Sequence, residues 1–191
     1  GVRIITLALA DASTSRVTGG FKQETCLLLG ATGVGKTLLL KRLQNILCTR
    51  ELESTPPTLP TVGTNLTDLT LKKKKVTVRE LGGCMGPIWP SYFKDCSFFV
   101  VDSANTAQIS SSCIQLLSIL SAESLHNAPV LILFNKRDMP CIMSLTEIKS
   151  LFRMDDIIAS ATQPITVLEM SARSGEGLKE VMSWLESVAV K

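Results

Sequence analysis

Four short and almost unbroken apolar runs, separated by turn residues and by stretches with helical spacing, set the tightest limit on how this chain can fold. Residues 25–29, 97–102, 130–135 and 165–170 read as strands, and apolarity on both faces suits a parallel sheet covered by helices on each side. Leu39, Leu43, Ile46 and Leu47 recur at helical intervals, as do Leu178, Val181, Met182, Leu185 and Val188. Residues 65–71 and 76–81 flank a lysine-rich turn and read as a hairpin, which makes one edge of the sheet antiparallel. The expected architecture is α/β: a six-stranded, mostly parallel sheet with one antiparallel edge strand and helices on both faces. No internal repeat or low-complexity linker interrupts it.

At 191 residues the chain suits a single domain, whose folding removes roughly 70% of the unfolded surface from water, so neither a disulfide nor a structural metal is needed to make a core. The apolar runs lie far below the roughly 20 residues that span a bilayer. Lys+Arg 20 against Asp+Glu 17 leaves a formal charge of +3, too small to argue for capture of nucleic acid. The 6 cysteines, at positions 26, 48, 84, 96, 113 and 141, include no Cys-x-x-Cys pair and match neither a zinc site nor a secreted disulfide scaffold. A reducing cytoplasm is the expected home and a monomer the expected state. His126 is the only histidine, in a polar stretch, so hydrolysis by a Ser–His–Asp triad is not expected.

The organisation expected is an N-terminal extension over residues 1–24 and a domain over 25–191. Residues 2–10 are apolar and give way to Ser, Thr and Gly. They read either as a loosely packed tail or as an amphipathic membrane-contacting helix, to which the lone Arg3 lends little electrostatic support. Ile5 stands where an N-myristoylation signal beginning at Gly1 needs Ser or Thr.

Gly30, Ala31, Thr32, Gly33, Val34, Gly35, Lys36 and Thr37 match G-x-x-x-x-G-K-[ST], directly after a predicted strand and before a predicted helix. Such glycines let successive backbone N–H groups turn inward around phosphate oxygens, and the following helix adds the positive end of its dipole. Lys36 is placed to reach the β- and γ-phosphates and the Thr37 hydroxyl to coordinate Mg²⁺. This motif alone leaves the base undecided.

Asn135, Lys136, Arg137 and Asp138 address the base. They stand at the end of an apolar strand, where ligands gather in an open α/β sheet. A carboxylate at Asp138 can accept the paired N1–H and N2–H₂ donors of guanine, which adenine lacks. The aliphatic stem of Lys136 can lie over the flat base. An ATP-using kinase is disfavoured on this ground.

With both motifs in place, residues 25–190 resemble the Arf-like branch of the Ras-superfamily small GTPases. Pro60, Thr61, Val62 and Gly63 resemble the first switch of that family, Leu81, Gly82 and Gly83 its second, and Ser171, Ala172 and Arg173 its last guanine loop. The resemblance implies a P-loop small GTPase fold and a Mg²⁺·GTP/GDP switch that recruits protein effectors and answers to an exchange factor and an activating protein. It implies Thr61 as a Mg²⁺ ligand over the γ-phosphate and Gly83 as an N–H donor to the same phosphate. It also implies the backbone of Ser171 and Ala172 near guanine O6. Work in membrane or ciliary trafficking, with peripheral membrane contact, follows from the same likeness.

The chain departs from the family pattern at several positions. Glu80 replaces the aspartate that holds Mg²⁺ through water, and Cys84 replaces the catalytic glutamine that orients the attacking water. A thiol cannot align water as an amide does, so slow intrinsic hydrolysis is expected, with a GTP-loaded binding module of negligible turnover as the alternative. Thr32 adds a side chain close to the expected γ-phosphate. Of the aromatic cluster that Arf relatives present across the switches, the matching places are Thr64, Arg79 and Tyr92, with only the last aromatic. Residues 72–75, all lysine, read as a solvated hairpin turn or as a contact for an acidic partner or anionic lipid.

Overall fold

A computed structural model describes residues 23–49, 64–72, 74–82, 96–140 and 143–188. The strands are β1 (Gln23–Leu29), β2 (Thr64–Thr70), β3 (Lys75–Leu81), β4 (Cys96–Asp102), β5 (Val130–Asn135) and β6 (Ile165–Glu169). Helices α1 (Lys36–Thr49), α2 (Ile109–Leu120), α3 (Leu145–Phe152), α4 (Met154–Ser160) and α5 (Leu178–Ser187) join them. One six-stranded sheet results, ordered β2-β3-β1-β4-β5-β6. Among the described residues only the β2–β3 pairing is antiparallel, as the hairpin reading expected.

The pleat sorts each central strand into two cores. Leu28, Phe98, Val100, Leu131 and Leu133 face α1 and α5, where Phe98 meets the Trp184 ring at a centroid distance of 5.3 Å. The alternating residues Leu27, Leu29, Phe99, Val101, Ile132 and Phe134 face α2, α3 and α4 on the other side. Unbroken apolarity in β4 and β5 is thus explained: every residue of both strands is buried, one set in each core.

Some expectations need correction. β6 is an edge strand whose residues are half-buried or exposed, so burial on both faces does not extend to it. β1 starts at Gln23, two residues before the expected start, because Gln23 and Glu24 pair with Lys75 and Val76. Lys74 is not a free member of the lysine run: its ammonium reaches Glu24 Oε2 at 2.9 Å and the Val188 carbonyl at 2.7 Å. Lys72 and Lys75 remain exposed. The cysteines are not all apart either. Cys26 and Cys96 are register partners across β1 and β4, with Cα atoms 4.7 Å apart and sulfurs in bonding contact, although 70 positions separate them in sequence. Burial pushes the free Cys113 thiol above its ordinary pKa. Residues 1–22, the greater part of the expected extension, lie outside the described residues.

Candidate functional site

β1 feeds the glycine loop at the place where the chain leaves for opposite sides of the sheet, first to β3 and later to β4. That reversal opens a crevice at the carboxyl ends of the strands. Gly30, Gly33 and Gly35 hold φ values of 147°, 80° and 101°, which L side chains rarely adopt. Space is also limiting: a Cβ on Gly30 would come within 2.5 Å of the Val100 carbonyl oxygen, and one on Gly35 would strike the Asn135 amide. Lys36 opens α1, and its ammonium donates to the carbonyls of Gly30 and Ala31 at 2.8 and 2.9 Å, folding the loop around the side chain. One turn of helix later the Leu39 N–H reaches the Gly35 carbonyl at 3.0 Å. The loop is therefore a cradle of backbone donors beside a buried cation.

Thr37, the second residue of α1, donates its hydroxyl to Glu80 Oε1. Glu80 lies on β3 in register with Leu28 of β1 and is only 1% exposed. A hydroxyl and a carboxylate held together next to a phosphate cradle form the hard-oxygen donor set that Mg²⁺ accepts, so the residues present fit that ion. The longer side chain of Glu80 still reaches Thr37. Thr61, Gly83 and Cys84 lie outside the described residues.

Asn135 ends β5 and fastens two loops at once. Its Nδ2 donates to the Val34 carbonyl at 2.8 Å, and its Oδ1 accepts the Ala172 N–H at 3.0 Å. The Ala172 N–H implied for guanine O6 is thus directed at Asn135. Lys136 takes the left-handed region at φ 65°, and its ammonium donates to the Gly33 carbonyl at 2.9 Å and to Asp102 Oδ2 at 2.7 Å. Its aliphatic stem consequently spans from β5 to the glycine loop. Ser171, fully buried, donates its hydroxyl to Asp138 Oδ1 at 2.7 Å and fixes the carboxylate that faces the base in the guanine reading.

Three participants escaped sequence reasoning. Asp102, at the end of β4, anchors Lys136; the acidic end of an apolar strand was its one visible signal. Gln108 donates Nε2 to the Thr32 carbonyl at 3.3 Å. Arg42, within α1, donates Nε to the Ala172 carbonyl at 2.9 Å and Nη2 to the Arg173 carbonyl. By contrast His126 stands before β5, at the opposite end of the strand from Asn135, with its Nδ1 3.2 Å from Thr162 Oγ1, so it is far from this chemistry.

A phosphate cradle after β1, a carboxylate-bearing loop after β5 and the loop after β6, cross-bonded at the carboxyl ends of the strands of a mostly parallel sheet, define a P-loop small GTPase. The sequence profile of the ADP-ribosylation factor family matches residues 12–189, and the chain belongs to that family. Over 185 residues it is 57% identical to human ADP-ribosylation factor-like protein 16, covering 94% of this chain and 93% of that protein. It is 33% identical to ADP-ribosylation factor-like protein 1 of Drosophila melanogaster over 172 residues, 88% of this chain and 90% of that one. Among solved structures, the Arl6 BBS3 small GTPase of Trypanosoma brucei with bound nucleotide analogue GppNp superposes with a TM-score of 0.72 at 20% identity, covering 86% of this chain and 96% of that one, a likeness of fold.

Proposed function

We propose that the chain is a Mg²⁺-dependent GTP/GDP switch of the Arf-like type with slow intrinsic hydrolysis. The observation that carries the reading is the set of bonds tying the guanine motif to the phosphate loop: Asn135 to Val34 and Lys136 to Gly33. One ligand that places a guanine beside Asp138 and phosphates in the glycine cradle satisfies both motifs together.

In this reading the loop N–H groups and Lys36 bind the β- and γ-phosphates, and Thr37 with Glu80 holds the metal side. Mg²⁺, when bound, supplies charge neutralisation between the phosphates. Thr61 and Gly83 hold the switch segments on the γ-phosphate, and loss of that phosphate releases them, which changes the surface offered to effectors. Exchange factor and activating protein act on the same segments. Cytoplasmic residence, peripheral membrane contact and a role in membrane or ciliary trafficking follow the family likeness, with a monomeric protein as the working unit.

Cys84 and Glu80 favour a second reading, in which GTP stays bound with negligible turnover and serves as a structural cofactor. Chromatography of the nucleotide retained by gently purified protein, followed by single-turnover measurement, separates the two: conversion to GDP on standing supports the switch, and lasting GTP supports the module. Lys36→Ala and Asp138→Ala, tested separately, should each abolish tight guanine-nucleotide binding. Unchanged affinity in both folded variants would overturn either reading.

A further inference from the structure

We propose that Arg42 is the positioning residue of the loop that reads guanine O6, linking the phosphate-binding helix to base selection. The inference rests on the guanine-nucleotide reading above and goes beyond the two motifs that define it.

Arg42 is 5% exposed, a degree of burial that arginine tolerates only when its donors are engaged. Its guanidinium reaches out of α1 to two consecutive carbonyls, those of Ala172 and Arg173, 130 and 131 positions further along the chain. A planar fork suits that task because its donors diverge in fixed directions, whereas an ammonium offers a single point. Holding the Ala172 carbonyl fixes the whole Ala172–Arg173 peptide plane, since the peptide bond is rigid and trans. The Arg173 N–H must then point away from α1. The neighbouring Ala172 N–H is already given to Asn135 Oδ1. Arg42 therefore orients the one peptide N–H of this pair that is not held by Asn135, and with it the donor edge available to a carbonyl oxygen on the base.

The same helix begins with Lys36 and Thr37 at the phosphate end. Three struts consequently join the two halves of the site: Asn135 to Val34, Lys136 to Gly33, and Arg42 to the loop after β6. The third lies outside both motifs.

The test compares dissociation constants for GDP, 6-thio-GDP, IDP and ADP in the parent, Arg42→Lys and Arg42→Gln, with thermal unfolding of each nucleotide-loaded protein alongside. Sulfur at position 6 weakens only the acceptor that the loop reads, and IDP lacks only the amino group that Asp138 reads. The parent should prefer GDP over 6-thio-GDP by about tenfold, the worth of one hydrogen bond. In both variants that preference should fall to within about twofold while the preference for GDP over IDP persists. If both preferences survive unchanged, or both fall together, the loop does not depend on Arg42 in this way and the inference is overturned. A parent that fails to distinguish GDP from ADP overturns the guanine reading itself, and one that distinguishes them while ignoring the sulfur overturns only this inference.

Discussion

Asn135 donates its side-chain amide to the carbonyl of Val34 at 2.8 Å, fastening the end of β5 to the phosphate loop across 101 positions of sequence. The same side chain accepts the Ala172 N–H, and Asn135, Val34 and Ala172 are all almost completely buried. Asn135→Ala leaves a carbonyl and an N–H without partners in a dry place, each costing about 1–3 kcal/mol. We expect a stability loss of about 2–4 kcal/mol in urea unfolding. A loss below about 0.5 kcal/mol, the range of neutral surface changes, would show that the clasp is not structural.

Gly33 and Gly35 separate backbone strain from collision. Both have φ in the left-handed half of the map, but a Cβ at Gly33 meets open space while one at Gly35 strikes the Asn135 amide. Gly33→Ala should cost about 1–2 kcal/mol, the strain of that conformation. Gly35→Ala should cost about 1–3 kcal/mol more, since Asn135 must give up its bond to Val34. Equal midpoints in denaturation of the two variants would contradict this.

The bond from Thr37 to Glu80 bears on metal dependence. Nucleotide release from the parent should accelerate sharply when EDTA removes Mg²⁺. In Thr37→Ala, which deletes one of the oxygen donors, release should already be fast and change by less than about threefold on chelation, since Mg²⁺ needs near-ideal octahedral geometry. Stopped-flow release of a fluorescent GDP analogue reads this directly. An EDTA response in Thr37→Ala as large as in the parent would remove Thr37 from the metal site.

In the proposed reading, Cys84 stands where the family places a water-orienting glutamine. Restoring the amide in Cys84→Gln should raise single-turnover GTP hydrolysis by about a hundredfold, the worth of one well-placed polar group near a charged transition state. GTP affinity should stay the same. A rate equal to that of the parent would mean that another feature, such as the Thr32 side chain in the phosphate loop, limits the reaction.

Much of this is legible in the sequence. The strands in 97–102 and 130–135 announced themselves because burial on both faces demands unbroken apolarity, and the hairpin because alternating residues flank a polar turn. α2, α3 and α4 were harder to see. Ser112 interrupts the buried stripe of α2 while the apolar Ile114 and Leu117 face solvent, and α3 and α4 are only 8 and 7 residues long. A signal for α3 was nevertheless present: Ser144 and Glu147 form a reciprocal capping box, the pattern S-x-x-E. The apolar composition of β6 suggests full cover that the structure does not provide, because composition cannot tell a central strand from an edge.

The amino-acid sequence by itself determined the central strands, the phosphate loop and the guanine motif, because each depends on residues within one short stretch whose spacing is dictated by local backbone geometry. Only the tertiary structure decided that Arg42 holds the loop after β6, that Asp102 anchors Lys136, and that Cys26 faces Cys96. Those partners meet through strand order and helix placement, separations of 130, 34 and 70 positions that no local pattern records.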